Sequence, residues 1–159
     1  MIEFKMTGNW SVAQSELKNL APRVRSAGAG AQRKIAQKIA RLAKEHIMAQ
    51  DLNWAPKSRE SSNSRVLYDS GAYYHSIRSW KQGNTYYSGV PLGAVNHKGT
   101  PIILYALTHE FGSSARGIPA RPLWRPVYKE VGGRKGIAQV VRAAILQKIS
   151  VMKSRGFTL

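Results

Sequence analysis

The segment from residue 105 to residue 126 reads YALTHEFGSSARGIPARPLWRP, and it sets the local architecture of the chain. It begins as an apolar run of helical character and stops at Gly112, which suits a helix C-cap. After a loop of small residues come closely spaced prolines, each of which holds φ at about −65° and lacks a backbone donor. Arginines on such a stiff backbone beside Trp124 indicate an anchor for another surface and are atypical of an active site.

The length and composition of the chain limit the classes of protein to which it can belong. A chain of 159 residues predicts a single domain, residues 1–159. The absence of cysteine excludes disulfides and thiolate-ligated metal sites. The sequence shows neither a secretory signal nor an apolar stretch of bilayer length, so we expect a protein made in a cytoplasm with no membrane partner.

The chain is strongly basic, with 25 Lys and Arg against 8 Asp and Glu and a formal charge of +17. The excess is spread along the chain, and such a balance attracts polyanions at long range. Three interpretations stay open at this point: contact with nucleic acid, a solvated basic surface, and a basic face that meets an acidic protein. No nucleic-acid recognition motif accompanies the charge.

Sequence motifs of catalysis are missing. The four histidines show no metal-binding spacing, and His109-Glu110 lacks the second histidine of a zincin helix. There is no glycine-rich phosphate loop, no GxSxG elbow and no plausible pair of catalytic carboxylates. His46, at the border of an apolar helical stripe, is expected to be an edge residue. We therefore expect no enzyme, no catalytic or metal-binding residue and no cofactor.

Helical periodicity is clearest towards the two ends of the chain. Ser11 is expected to cap a short helix, after which Pro22 restarts the chain. Residues 32–50 predict a long amphipathic helix, and the glycine-containing stretch 26–31 before it could be a bend inside one long helix. A C-terminal helix is predicted by an apolar stripe: Ile137, Val140, Val141, Ala144, Ile145, Ile149 and Met152.

Residues 51–66 are polar and serine-rich without an apolar period, which predicts a long exposed loop. Loops of this length in small domains are usually functional, or disordered when free. Trp54 has two interpretations here, a surface anchor that a partner orders or a side chain folded back over the core. Residues 153–159 are expected to form a basic tail.

The middle of the chain predicts a short helix followed by a hairpin. Asp69 or Ser70 is expected to cap a helix that reaches Ile77. Residues 78–90 then read as two strands around Gly83, whose position suits a tight turn. The aromatic residues of the strands could stack on nucleic-acid bases, but pairing between strands is the commoner arrangement.

The last expected elements are an edge strand at Ile118–Arg121 and a helix that Pro122 opens and that runs to about Val131. Together these patterns predict an α+β fold. Long N-terminal and C-terminal helices are expected to pack on a small antiparallel β-sheet, with a long exposed loop between elements.

Two runs of the sequence resemble the tail-completion and neck proteins of long-tailed bacteriophages. The first is LYDSG at 67–71 with Ser-Ile at 76–77, and the second is HEFG at 109–112 followed by IPARPLWRP at 118–126. The family order is a long N-terminal helix, a Leu-x-x-Ser/Thr-Gly turn, a hairpin, His-Glu-Phe-Gly, and Pro-Ala-Arg-Pro-Phe-Leu-Arg-Pro. The resemblance covers roughly residues 22–150, with Leu-Trp in place of the more usual Phe-Leu.

The resemblance implies a structural virion protein of the head–tail junction, assembled in the host bacterial cytoplasm. Its implied form is a homo-oligomeric ring, typically a hexamer, that contacts other neck, connector and tail proteins and leaves a channel for DNA. An alternative function is that of a sequence-independent basic nucleic-acid-binding protein. The residues expected at subunit interfaces are Trp54, Glu110, Gly112, Arg121, Pro122, Trp124 and Arg125.

The two arginines are expected to carry much of that contact. Arg121 and Arg125 suit bidentate pairing with carboxylates or carbonyls of a neighbour, and Glu110 is a candidate partner within or between subunits. The open alternative is that Arg121 ties down a loop of its own subunit. The interface interpretation predicts that Arg121→Ala impairs assembly more than folding.

Overall fold

A computed structural model of the protein describes residues 10–57 and 65–154. Helix α1 spans Trp10–Ala49 and α2 spans Ala72–Ser76. Strands β1, Arg78–Gln82, and β2, Thr85–Gly89, form an antiparallel sheet. Helix α3 is Ile102–Phe111, a 3-10 turn follows at Ser114–Arg116, and α4 and α5 span Trp124–Glu130 and Gly133–Ser154. The predicted α+β class is confirmed.

The described residues divide into two compact units, one within Met1–Ala31 and Gln139–Leu159 and one within Gln32–Ala138. Residues of α1 and α5 belong to both. The larger unit holds both sequence runs singled out above and the main apolar core. No helix of the described residues combines the length and apolarity needed to cross a bilayer.

Helix α1 is continuous for 40 residues and contains Pro22 in its interior, so the predicted restart at that residue is wrong. An interior proline removes one helical hydrogen bond and costs about 3 kcal/mol. Helix formation is cooperative once nucleated, and strong helix formers flank the proline on both sides, so a helix of this length absorbs that cost. The side chain of Ser11 lies outside the described residues, so its cap stays a prediction.

The core of the larger unit begins on the apolar stripe of α1. Ala36, Ala40, Ala43 and Ile47 recur at spacings of three and four residues and are buried, which confirms the predicted helical face. The side chains that complete the core come from α2, α3, α4 and the segments between elements: Val66, Leu67, Tyr73, Ile77, Val90, Ile102, Ala106, Leu123 and Val127.

Helix α2 begins differently from the prediction. Its N-cap is Gly71, with φ at 78° and no side-chain cap, so neither Asp69 nor Ser70 is the N-cap residue. Ser70 still contributes at the helix start, because its Oγ accepts a long hydrogen bond of 3.4 Å from the Ala72 N–H. The left-handed backbone at Gly71 turns the chain into the helix, and a side chain is strained there.

The predicted hairpin is confirmed in position. Gly83, with φ at 59°, lies in the turn, and Trp80 pairs with Tyr87 across the strands. Their rings stack at 5.7 Å between centroids and 17° between planes. Cross-strand pairing therefore accounts for these two aromatic residues. On the other side, the Ser88 hydroxyl donates to the backbone carbonyl of Ala36 and joins the hairpin to α1.

Helix α3 and its C-cap Gly112 match the prediction. The expected edge strand at Ile118–Arg121 is wrong, because only a single bridge forms there, between Ser113 and Ile118. Proline at 119 and at 122 leaves too few backbone donors for a ladder. Helix α4 starts at Trp124, two residues later than predicted.

In the smaller unit, α5 approaches α1 at a glycine. A Cβ added to buried Gly28 would lie 3.6 Å from Ile145 Cδ1. The predicted stripe of α5 is only partly confirmed, because Val141, Ala144, Ile145 and Ile149 are half-buried whereas Val140 is 49 % exposed. Val140 lies at the edge of the helical face that these four residues share. The Met152 side chain and residues 155–159 lie outside the described part of the chain.

Candidate interaction site

The two sequence runs meet at one groove of about 500 Å³ in the larger unit. It is lined by residues 69–73, by Asn96 and Thr100 and by the α3 residues Tyr105 and His109. Burial raises the pKa of the Tyr105 hydroxyl to about 12, so this side chain stays neutral. The ionised residues that line the groove are Asp69 and Arg116, which carry opposite charges.

Arg121 lies next to this groove and is almost fully buried, with 5 % of its surface exposed. Its Nε–H donates to the carbonyl of Ala55 at 2.8 Å and its Nη2–H to the carbonyl of Pro56 at 2.7 Å. Its Nη1 lies 3.2 Å from Nδ1 of His109. These four residues form what we call the Arg121 clamp. Of the two alternatives for Arg121, the structure supports the one in which it ties down a loop of its own subunit.

The clamp fixes the protonation state of His109. A guanidinium nitrogen can only donate, so Nδ1 of His109 accepts and the neutral ring carries its hydrogen on Nε2. Burial, with the nearby charges of Arg121 and Lys57, lowers the pKa of His109 to about 4. The backbone is tied at the same point, because the Arg121 N–H donates to the His109 carbonyl.

Glu110 caps helix α4 from helix α3. Its Oε2 accepts from the N–H groups of Leu123 at 2.7 Å and Trp124 at 3.1 Å, and its Oε1 accepts from Arg125 at 3.3 Å. Helix α4 has no side-chain cap of its own, and Pro126 has no N–H to satisfy. The free donors at its start are therefore all accounted for. Within the subunit the Glu110 carboxylate binds backbone amides and not an arginine side chain. Its pairing with an arginine of a neighbouring subunit stays a prediction.

Gly112 allows the two halves of the 105–126 segment to touch. Its φ is 75°, and a Cβ there would lie 2.9 Å from the Ala120 nitrogen and 3.0 Å from the Ile118 carbonyl oxygen. Any side chain would clash with backbone at both points. The HEFG and IPARPLWRP runs thus pack directly against each other.

Trp54 is folded back over the core, the second of its two interpretations. Its indole N–H donates to the Pro122 carbonyl at 2.9 Å, and its ring packs against the core cluster beside Leu52. Trp124 also packs against that cluster, while the Arg125 side chain is exposed. The start of the predicted 51–66 loop is therefore held by Trp54 and by the clamp. Residues 58–64 lie outside the described residues.

One set of apolar residues in this region stays uncovered. Leu104, Leu107 and Phe111 are 57 %, 48 % and 73 % exposed and follow one another at spacings of three and four residues. They therefore share one side of α3, which we call the outer face. The side that carries Ala106, His109 and Glu110 is the inner face. Two more exposed apolar residues, Leu92 and Val95, lie in the loop before α3.

Sequence reasoning missed a second polar cluster, around His46. Its Nδ1 lies 2.7 Å from Asp51 and its Nε2 lies 2.9 Å from Glu130. Partial burial lowers the pKa of His46, but the hydrogen bonds and charges of the two carboxylates outweigh it and raise the pKa overall. Glu130 is 84 positions away in sequence, so no local spacing signals the contact.

The structure brings six of the seven predicted interface residues into one connected cluster: Trp54, Glu110, Gly112, Arg121, Pro122 and Trp124. Only the Arg125 side chain points into solvent. Among residues 10–57 and 65–154, no three His, Asp or Glu side chains converge as metal ligands. Comparison of the chain with protein-family models, with curated proteins and with solved structures finds no match.

Proposed function

We propose that the protein is a structural component of the phage neck, a tail-completion or head–tail connector subunit that assembles into a ring. In this role, rings of the subunit join a DNA-filled capsid to a tail in the virion, and they contact other neck, connector and tail proteins. The central opening leaves a channel for DNA. A hexamer is the stoichiometry that the resemblance implies.

The observation that carries the proposal is that the two family-like runs lie next to each other in the larger unit. Residues of LYDSG and His109 of HEFG line the same groove, and HEFG packs directly on IPARPLWRP through Gly112. The residues that carry the resemblance therefore lie together in one part of the larger unit, which supports the proposal.

The chemistry of that unit also favours a structural role over catalysis. The polar groups that sequence alone would offer to a substrate are engaged: Glu110 with backbone amides, and Arg121 with two carbonyls and His109. A neutral His109 held by an arginine is a poor general base, because its pKa is far below neutral. What the site presents to a partner is a groove and an apolar helix face.

A second candidate function, sequence-independent nucleic-acid binding, is supported by the charge of +17. The described part of α1 distributes lysines and arginines along its exposed positions, among them Arg33, Lys34 and Arg41. In the ring proposal the same charge faces the DNA channel or acidic neighbours. The two functions differ in whether the protein assembles without nucleic acid.

Electron microscopy of the purified full chain, free of nucleic acid, tests the proposal. We expect closed rings, and addition of the protein to particles that lack it should restore head–tail joining. A matched fluorescence titration would follow binding to duplex DNA between low and physiological salt. A chain that stays monomeric at all concentrations, joins no particles, and binds DNA with a steep salt dependence would support the second candidate instead.

A further inference from the structure

We infer that the outer face of α3, Leu104, Leu107 and Phe111, is where a second copy of this chain docks. The inference builds on the proposed ring, which needs a contact between identical subunits. It assigns that contact to the apolar residues of one helix face. The polar residues of the two family-like runs are not available for it, because they are used within the subunit.

The first argument is exposure of a continuous apolar face. Phe111 is 73 % exposed at the end of α3, and Leu104 and Leu107 continue the same face towards its start. Single exposed apolar residues are common on protein surfaces, but a row of three large ones on one helix is typical of an interaction site. The helix is held rigidly from its other side by Glu110 and His109, so the face is preorganised.

The second argument is charge, and it indicates which kind of partner binds the outer face. Two copies of a chain with +17 repel each other, and contact through a face that carries little net charge reduces that repulsion. Residues 82–115 contain one lysine and one glutamate, Lys98 and Glu110, and these cancel to zero. In the adjoining groove, the opposite charges of Asp69 and Arg116 also cancel. These residues are therefore suited to contact with a like-charged neighbour.

A polyanion or an acidic protein would be drawn elsewhere. Helix α3 contains no lysine or arginine, and its only acidic side chain, Glu110, is bound to backbone amides. The attractive charges for an acidic partner lie on helices such as α1, at Arg33, Lys34 and Lys38. The apolar and neutral character of the outer face thus matches a second copy and does not match nucleic acid.

Leu107→Lys tests the inference, with Leu146→Lys on α5 as the matched control. The two leucines are 48 % and 52 % exposed on helices, so both variants should fold, and each adds one positive charge. Mass measurement by sedimentation across protein concentration should show self-association of the wild type and of Leu146→Lys. Association of Leu107→Lys should weaken at least about 30-fold, because a charge replaces an apolar anchor at the contact. Circular dichroism confirms folding of each variant.

The possible outcomes separate this inference from the proposed function. Rings of Leu107→Lys as stable as those of the wild type would overturn the inference and leave the ring proposal standing. Equal weakening in both variants would also overturn it, because net charge and not the face would then be responsible. A wild type that never associates, or that associates only when DNA is added, would overturn both. A dimer that Leu107→Lys abolishes, with no larger ring, would support the contact and overturn the ring.

Discussion

The inner and outer faces of α3 differ in how many contacts their side chains make within the subunit. On the inner face, Glu110 accepts from three backbone N–H groups and His109 accepts from a buried guanidinium. On the outer face, Leu104, Leu107 and Phe111 leave about half or more of their surface in solvent. The residues that look most functional in the sequence therefore hold the subunit together, and the plain apolar residues are left for a partner.

The irregular backbone around α3 explains why the inner face needs so many polar contacts. Residues 112–123 contain two prolines, Pro119 and Pro122, and only one bridge, between Ser113 and Ile118. Buried backbone groups outside helices and sheets still require partners. Arg121 and Glu110 supply them from side chains, for the carbonyls of Ala55 and Pro56 and for the amides that begin α4.

The largest expected effect comes from removing the Arg121 side chain, which contacts His109 on the inner face of α3. We expect Arg121→Ala to lower the free energy of unfolding by about 3–4 kcal/mol, because it removes three buried hydrogen bonds and leaves two carbonyls without donors. Chemical denaturation of the purified variant measures this. If assembly stayed intact, this result would contradict the expectation from sequence that Arg121→Ala impairs assembly more than folding.

Arg125→Ala is the matched control, since it removes an exposed arginine from the same run and keeps the backbone N–H that Glu110 accepts. Its effect on stability should stay within about 0.5 kcal/mol. Similar stability of Arg121→Ala and Arg125→Ala would contradict the clamp. Arg121→Lys should recover only part of the loss, because an ammonium cannot reproduce the fork that reaches both carbonyls.

A smaller loss is expected from Glu110→Ala. Removing a capping carboxylate costs about 1–2 kcal/mol, and here the N–H groups of Leu123 and Trp124 would lose their acceptor. Glu45→Ala, which removes an exposed glutamate paired with Arg41 at 3.4 Å, serves as control and should cost about 0.3–0.5 kcal/mol. Thermal denaturation of both variants at neutral pH compares them. Equal losses would mean that Glu110 is no more than a surface charge.

Elements with a strong periodic pattern were predictable from the sequence. The apolar stripe of α1, the hairpin around Gly83 and the stop of α3 at Gly112 are all local signals, and the structure confirms each one. Local signals failed where a distant contact replaced them. Glu110, not a residue beside α4, caps that helix, and no edge strand forms at Ile118–Arg121 because the Arg121 clamp holds that segment instead.

The sequence indicated which residues lie close together at the candidate site, but not which groups they contact. The clustering of six of the predicted residues follows from their closeness in sequence, apart from Trp54, which reaches Pro122 across 68 positions. Whether Arg121 acts within or between subunits depended on where the carbonyls of Ala55 and Pro56 lie, and a polar loop has no periodicity that reveals this. The outer face was hidden because α3 is apolar at most of its positions, so its buried and exposed apolar residues look alike in the sequence.

The last expected effect concerns pH and compares two histidines whose pKa values shift in opposite directions. The pKa of His109 falls to about 4 in the folded state from about 6.5 in the unfolded chain, so below pH 6.5 the unfolded chain takes up a proton that the folded clamp does not. His109 therefore reduces stability as the pH falls. Both nitrogens of His46 face carboxylates, of Asp51 and Glu130, and its pKa is raised. Its contribution is fully present below about pH 6.5 and is lost as the pH rises through the raised value.

Melting temperatures of wild type, His109→Gln and His46→Gln at pH 7.5 and 5 separate the two contributions. Between these values His109→Gln should lose less stability than the wild type, because glutamine can still accept from Arg121 but does not titrate. His46→Gln should lose more, because the acid-stabilised contact with its carboxylates is gone. Parallel shifts of all three proteins would show that neither ring is held as described, and the inner face of α3 would then lack the neutral His109 on which the clamp depends.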